Sequence, residues 1–447
     1  MITSPAFRGK RYAVLGLARS GLATVDALVA SGAEVTAWDA KEEARAKVED
    51  TVMLADPLEI DLAGFDGVVV SPGVPLNTHP IAAKARDAGV PVIGDIELFA
   101  QARAGLPPHK VVGITGTNGK STTTALIHHI LKTAGVPTEM GGNIGLPILA
   151  QDPLPEGGVY VLELSSYQID LTFSLDCDVA VLLNVTPDHL DRYDGFEAYL
   201  ASKLRLFDLQ SQSHVAVITD GQGMEPVFEE HFRYSGRNYW MSVSNCPEIL
   251  GVTVWEGEAW NQGDVLDQQA NWPTLQGPHN AENVAAAITV ALELGISEAT
   301  IVTALRTYPG LPHRMERVTE RGGILFVNDS KATNPDSTAP ALAAYPYIHW
   351  IVGGRAKTDS LGPCEAQLGH VRAAYTIGEA GPMFAQLLDG RVPVTECGVL
   401  VTAVSEAADA AVAGDVVLLS PACASFDQFR DYEARGEAFR EAVGALS

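Results

Sequence analysis

Between residues 113 and 122 the chain reads Gly113-Ile114-Thr115-Gly116-Thr117-Asn118-Gly119-Lys120-Ser121-Thr122, after an apolar run and before helix-forming residues. Glycines there let backbone N–H groups close around phosphate oxygens without interference from Cβ atoms. The positive end of the following helix falls on the same phosphates, and Lys120 adds a full charge. Ser121 or Thr122 can offer a hydroxyl to Mg²⁺. Ile114 stands where the GxxxxGK[ST] pattern has its first glycine. The competing reading is a tight strand–helix turn with an exposed lysine, but Gly-Lys-Ser-Thr at a strand-to-helix junction favours phosphate binding.

Three further positions could join that chemistry. Glu163 closes the apolar run Val159-Tyr160-Val161-Leu162. Ligands in open α/β sheets sit beyond the carboxyl ends of the strands, so this acid should face the phosphate loop. Mg²⁺ prefers one or two carboxylates together with phosphate oxygens and water; the alternative is an N-cap for the next helix. After Val179–Leu183 come Asn184, Thr186, Asp188, His189 and Asp191. His189 could ligate a second metal, although a lone histidine is as readily structural. Lys203, in Ala201-Ser202-Lys203-Leu204-Arg205, reads from spacing alone as a solvated helix residue.

Near the N-terminus, Gly16-Leu17-Ala18-Arg19-Ser20-Gly21 precedes Asp39, which ends the next strand. This misses the dinucleotide fingerprint, because Ala18 replaces the glycine that admits a pyrophosphate. A nucleotide diphosphate in a shifted pose remains open, with Asp39 on its base or ribose and Ser71-Pro72-Gly73 pointing the same way. Later clusters are His313-Arg314, Asn328 to Asn334, and Leu419 to Phe429. In an extended segment Asp329 and Lys331, two apart, would share one side. His313-Arg314 directly follows the Pro309-Gly310-Leu311-Pro312 hinge. Each cluster alone reads as a loop, but four polar clusters at carboxyl ends of expected strands are harder to dismiss.

The elements that must hold these residues alternate strand and helix, which argues for parallel sheets covered by helices. Expected strands are Tyr12–Leu15, Glu34–Trp38, Gly67–Val70, Lys110–Ile114, Val159–Leu164, Val179–Leu183, Val215–Ile218, Ile324–Val327, His349–Val352, Ala374–Ile377 and Val416–Leu419. Residues 224–275 read as less regular strands and loops, and a helix runs from Asn280 to about Leu294. Ala104–Pro108 reads as a linker, and Pro309-Gly310-Leu311-Pro312 cannot continue a helix. At 447 residues two or three domains are expected.

Bulk composition narrows the function. A net charge of −25 argues against a general nucleic-acid binder. Five scattered cysteines without a CxxC pair fit neither a disulfide framework nor a metal cluster. No apolar run approaches the roughly 20 residues that cross a bilayer, and no signal-peptide pattern opens the chain. A cytoplasmic enzyme is the expectation.

Several motifs, in order over nearly the whole chain, resemble the Mur ligase family. They are Thr115 to Thr122, Glu163-Leu164-Ser165-Ser166, Asn184 to Asp191, His279-Asn280, Pro312-His313-Arg314 and Asp329 to Asn334. Within the family, Gly142-Asn143-Ile144-Gly145, Ser330 to Asn334 and Ser420 to Phe429 look like the branch that adds D-glutamate. The Asp-Asn-Pro-Arg type motif of the diaminopimelate- and lysine-adding relatives is missing, and folylpolyglutamate synthases lack the C-terminal motif.

That resemblance implies an α/β protein of three consecutive domains. Residues 1–98 would form a Rossmann-like N-terminal domain for the UDP-linked substrate, 99–310 a P-loop central ATPase domain, and 311–447 a Rossmann-like C-terminal domain for the amino acid. It implies ATP bound by Gly116, Thr117, Asn118, Gly119, Lys120, Ser121, Thr122, Asn280, His313, Arg314 and Asp329. Two Mg²⁺ ions would use Ser121, Glu163, His189 and Lys203, the last carbamylated, with Lys120, His189 and Lys203 catalytic. The substrate UDP-N-acetylmuramoyl-L-alanine would meet Arg19, Ser20, Asp39, Ser71, Pro72, Gly73 and Asn143. D-glutamate would meet Lys331, Thr333, Lys357, Ser425, Phe426 and Tyr432. The implied reaction joins the two through an acyl phosphate in peptidoglycan precursor synthesis, with domains closing near Pro309–Pro312 to exclude water. The implied enzyme is a monomer with no nucleic-acid or membrane partner. Rival readings are a family member with another amino acid or a folate acceptor, an NAD-dependent oxidoreductase, and a nucleotide-regulated binding module.

Overall fold

The computed structural model describes residues 1–48, 50–189, 191–219, 238–242, 252–255 and 257–446. Their backbone forms three sheets interleaved with helices. The chain divides into two compact units, Met1–Asp267 with Glu282–Ala304, and Gln268–Ala281 with Leu305–Ser447.

The first unit holds two of the sheets. One runs, edge to edge, Met53–Leu54, Glu34–Trp38, Arg11–Leu15, Gly67–Val70 and Val92–Ile93, every pairing parallel. Leu15 stands opposite both Trp38 and Val70, so the segments opening with Gly16, Asp39 and Ser71 leave the sheet side by side. The two edge strands are only two residues long, too short to show a pattern in the sequence.

The other sheet runs Asp264–Gln268, Glu258–Asn261, Val252–Trp255, Asn238–Ser242, Val215–Thr219, Val179–Leu182, His109–Thr115, Gly158–Glu163 and Thr138–Gly142. Its inner strands are parallel and, apart from the first residues of His109–Thr115 and Val215–Thr219, buried, which is why they read as apolar runs. Thr138–Gly142 escapes a sequence reading because it is Thr-Glu-Met-Gly-Gly. Part of the stretch 224–275 lies outside the described residues; the part described is strands and turns, as expected.

The two sheets share a core. Helix Asp95–Ala102 lies between them, and one apolar cluster includes Tyr12, Val14, Leu98, Phe99, Tyr160 and Leu162. Phe99 meets Tyr160 edge-on, with ring centroids 5.1 Å apart. The helix is fastened by charge as well as by apolar contact. Buried Glu97 accepts from the N–H groups of Phe173 and Ser174 at 2.7 and 2.9 Å and from Ser174 Oγ at 2.8 Å, while Gly94 N–H donates to Leu171 O at 3.0 Å.

The second unit carries the sheet Glu316–Arg321, Ile324–Asn328, Val416–Leu419, Ile348–Gly353, Val371–Ile377 and Val394–Gly398. Only the first pairing is antiparallel. Asp329, Ser420 and Gly354 therefore leave the sheet at one end. Helix Pro278–Glu293 begins two residues before the expected Asn280. No helix among the described residues is long and apolar enough to cross a membrane.

Glu97→Ala removes the buried acceptor of three hydrogen bonds from Phe173 and Ser174. Its expected cost is on the order of 3 kcal/mol, read as a lowered midpoint in urea; an unchanged midpoint would refute the fastening role.

Candidate functional site

Register brings the site of the first unit together. Strand His109–Thr115 lies between Gly158–Glu163 and Val179–Leu182, with Ile114 opposite Glu163 and Thr115 opposite Leu182. The phosphate loop, Glu163 and the Asn184 segment therefore emerge as neighbours.

The loop has the backbone its glycines allow. Gly116 has φ +149° and Gly119 φ +84°, the latter capping helix Lys120–Thr133. The loop is tied on one side to the neighbouring strand end. Thr117 N–H donates to Asn184 O at 2.9 Å, and Asn118 N–H to Asn184 Oδ1 at 2.8 Å. On the other side Asn283, on helix Pro278–Glu293, lies where a Cβ on Gly119 would point, and accepts from Thr123 Oγ1 at 3.2 Å. The sequence reading missed Asn283, although it stands three residues after Asn280, on the same helical face.

Two lysines converge on this loop. Lys120 Nζ donates to the carbonyls of Gly116 and Thr117 at 2.9 and 2.8 Å. Lys203 Nζ donates to the same Gly116 carbonyl at 2.9 Å and lies 4.5 Å from the Tyr199 ring centroid. Lys203 is 1% exposed, not the solvated helix residue that spacing implied. Burial, with the charge of Lys120 beside it, drives its pKa well below the ordinary lysine value.

Glu163 is 2% exposed. Its Oε1 accepts from Asn143 Nδ2 at 2.9 Å, and its buried Oε2 has no hydrogen-bond partner among the described residues. A carboxylate oxygen left so within a protein suits a cation, and Ser121 is the second residue of the helix that follows the neighbouring strand. Among the described residues no three His, Cys, Asp or Glu side chains form a metal cluster. A metal here would thus draw on hydroxyl, carbamate or phosphate oxygens as well. His189 has φ +54°, and its ring lies 5.0 Å from the Tyr167 ring. Partial burial lowers its pKa, with Lys203 and Lys120 adding to the shift and Asp188 opposing it. The neutral imidazole this favours is the form that binds metal.

In the first sheet, Asp39 accepts from the N–H groups of Leu17 and Lys41 at 2.7 and 2.9 Å, so its carboxylate shapes the Gly16 loop. Ser71 Oγ donates to Gly16 O at 2.9 Å, and a Cβ on Gly16 would press on Ser71. Arg19 donates to Gly145 O at 2.7 Å, linking this loop to the one carrying Asn143. Ser20, Ser71 and Pro72 line one small cavity, and Gly73 stands exposed beside it.

The second unit gathers the rest. Segment Asp329–Ala332 is a hydrogen-bonded turn, Ala332 N–H to Asp329 O at 2.9 Å, and not extended. This corrects the same-side expectation for Asp329 and Lys331. Asp329 turns inward to accept from Ser420 Oγ at 2.8 Å and Met315 N–H at 3.1 Å, and burial raises its pKa to about 7. Lys331 Nζ instead lies 5.6 Å from the Tyr432 ring centroid, and Lys357 Nζ reaches Thr333 Oγ1 at 3.4 Å. Arg355 and Ala424 pair through their backbones, which brings the segments of Lys357 and Ser425 together; Phe426 is 64% exposed.

Buried Arg435 donates to the carbonyls of Ser330 and Cys423 at 2.8 and 3.0 Å. On the charged helix Tyr432–Gly444 nothing in the sequence marked it. His313 is also buried, its ring against Asn328 and Glu437. Asn280 donates to Gln276 O at 2.9 Å.

Three known domain families match the chain. They are described as Mur ligase MurD-like, N-terminal domain, over residues 10–94, Mur ligase middle domain over 114–291, and Mur ligase, glutamate ligase domain, over 313–423. The UDP-N-acetylmuramoylalanine–D-glutamate ligase of Novosphingobium aromaticivorans is 62% identical over 446 residues, covering 100% of this chain and 97% of that protein. Those of Sphingopyxis alaskensis and Zymomonas mobilis are 59% and 56% identical, with both chains fully covered. Among solved structures, the UDP-N-acetylmuramate-alanine ligase MurC of Thermotoga maritima aligns with TM-score 0.60 at 18% identity, covering 98% of this chain and 99% of that one. The MurF ligase of the same organism, in complex with ADP, aligns with TM-score 0.58 at 17% identity, covering 98% and 95%. Those two likenesses concern the fold.

Gly119→Ala would place a Cβ against Asn283 at a φ that costs a non-glycine residue about 1–2 kcal/mol. The expected result is roughly tenfold or greater loss of nucleotide affinity, measured by titration with a fluorescent ATP analogue. Affinity equal to the unsubstituted chain would exclude the tight fit of this loop.

Proposed function

This chain belongs to the Mur ligase family, and on that footing we propose that it joins D-glutamate to UDP-N-acetylmuramoyl-L-alanine, driven by ATP, in cytoplasmic peptidoglycan precursor synthesis. The observation that carries this reading is the 62% identity to a D-glutamate ligase along the entire chain. The site geometry supports the chemistry, and the two lysines among hydroxyls in the second unit suit an amino acid bearing two carboxylates.

ATP is a substrate in this scheme. The alanine carboxylate attacks the γ-phosphorus; a carboxyl O–P bond forms, the β–γ bridge breaks and ADP leaves. The neutral amine of D-glutamate then attacks the acyl carbon, loses a proton and expels phosphate, leaving the amide. The first step brings one anion onto another, so neutralising charge is the main demand on the protein. Lys120 supplies a fixed ammonium at the loop, and the N–H groups of Gly116 to Thr122 would surround the phosphates. Asn280, His313, Arg314 and Asp329 would add to ATP binding.

Mg²⁺ would be held by Ser121 and Glu163, and a second ion by His189 and carbamylated Lys203, adding charge neutralisation at the phosphates. The setting of Lys203 favours the carbamate. A buried amine kept neutral can attack CO₂ and lose a proton, which turns a cation into an anionic oxygen ligand. Asn143 would orient Glu163 while meeting the sugar, and Arg19, Ser20, Asp39, Ser71, Pro72 and Gly73 would receive the UDP portion. Lys331, Thr333, Lys357, Ser425, Phe426 and Tyr432 would hold D-glutamate. By this reading residues 1–98, 99–310 and 311–447 serve UDP substrate, ATP and amino acid in turn, in a monomer.

Phosphate release assayed with UDP-N-acetylmuramoyl-L-alanine and a panel of amino acids tests the reading. D-glutamate should be the active member; turnover with L-alanine or diaminopimelate and none with D-glutamate would overturn it. Lys120→Ala should abolish ligation, and retained product formation would remove the loop from the mechanism. Lys203→Ala should be nearly inactive and partly restored by short carboxylates; full activity without them would refute the carbamate.

A further inference from the structure

Two stretches of the first unit meet through side chains that carry no role above. One follows strand Gly67–Val70 and is closed by Val74 N–H to Ser71 O at 3.0 Å. The other follows strand Val179–Leu182, and there Arg192 N–H donates to His189 O at 2.9 Å. The first carries Ser71-Pro72-Gly73, and the second begins at His189.

Two side chains stitch these stretches together, one reaching the last residue of the Ser71–Val74 turn and one standing three residues beyond it. Arg192 Nη2 donates to Val74 O at 2.9 Å, and Asn77 Nδ2 donates to Asp191 O at 3.1 Å. The Arg192 guanidinium also lies over Tyr167, 4.4 Å from the ring centroid, and the same Tyr167 ring meets the His189 imidazole. Tyr167 is backed by Tyr193, stacked at 5.9 Å with an interplanar angle of 11°. Arg192 thus touches the carbonyl that ends one turn and the ring that His189 leans on. His189 itself is held at φ +54°, a conformation that needs support from its surroundings.

We propose that Arg192 is a positioning residue that locks the Ser71–Val74 turn to His189, so that seating the UDP-linked substrate and placing the His189 imidazole are one event. This rests on the roles given above to Ser71-Pro72-Gly73 and His189. A guanidinium suits the task because its planar fork donates to a carbonyl while its face stacks on an aromatic ring. In Arg192→Lys one donor and the charge survive; in Arg192→Met the volume survives without either.

The test is calorimetric binding of UDP-N-acetylmuramoyl-L-alanine, followed by KM for each substrate and the Mg²⁺ concentration giving half-maximal rate. Arg192→Met should weaken binding of the UDP-linked substrate by roughly tenfold or more and raise the Mg²⁺ requirement. KM for ATP and D-glutamate should hold, and Arg192→Lys should fall between. Asn77→Ala, which removes the other stitch from an exposed side chain, should shift the same two quantities in the same direction. It carries the test alone if Arg192→Met fails to fold. Binding in both Met and Ala variants equal to the unsubstituted chain, or a parallel rise in all three KM values, overturns the proposal. An unsubstituted chain that does not bind the UDP-linked substrate overturns the functional reading beneath it, a distinct result.

Discussion

The pairing of strand His109–Thr115 with two parallel neighbours is the constraint on which the first unit's site depends. Placing Ile114 beside Glu163 and Thr115 beside Leu182 makes three chain segments end together at one edge. Parallel pairing fixes strand direction, so the segments that leave these strands leave in the same direction. A one-residue slip of Gly158–Glu163 would turn Glu163 to the opposite face of the sheet. The same logic holds in the first sheet for Gly16, Asp39 and Ser71, and in the second unit for Asp329, Gly354 and Ser420.

Once the strands are fixed, electrostatics decides what the assembled loops can do. The chain carries a net charge of −25, yet two lysine ammonium groups meet at one carbonyl of the phosphate loop. Their mutual repulsion and the burial of Lys203 act in the same direction, toward a neutral Lys203. Lys120 is less buried. Glu163 carries the opposite imbalance, a buried oxygen without a hydrogen-bond partner among the described residues. Groups left out of balance by the protein itself are those that a nucleotide, a cation or CO₂ can complete.

Much of this was legible beforehand. The inner strands were visible as apolar runs because they are covered on both faces, and Gly119-Lys120-Ser121-Thr122 was visible because Gly119, at φ +84°, needs a glycine where the lysine and hydroxyls begin a helix. Glu163 and His189 could be placed at carboxyl ends from the strand pattern. Thr138–Gly142 and the two-residue edge strands could not, since an edge strand has neither the length nor the apolar content to mark it. Asp329 was read in the wrong setting: a spacing of two implies a shared side only in an extended chain, and Ala332 N–H closes a turn there.

By itself the sequence determined the strand and helix alternation, the phosphate loop and the family, because each is written in local spacing or in residues kept in order along the chain. Tertiary structure decided which side chains are buried together. The depressed pKa of Lys203, the unsatisfied oxygen of Glu163, the contact of Asn283 with Gly119, the hold of Arg435 on Ser330 and Cys423, and the stitch from Arg192 to Val74 all join segments far apart in the chain. Lys203 shows the reason most plainly. Its own helix marks it as an ordinary solvated lysine, and only its burial, with Lys120 beside it, pushes its pKa down.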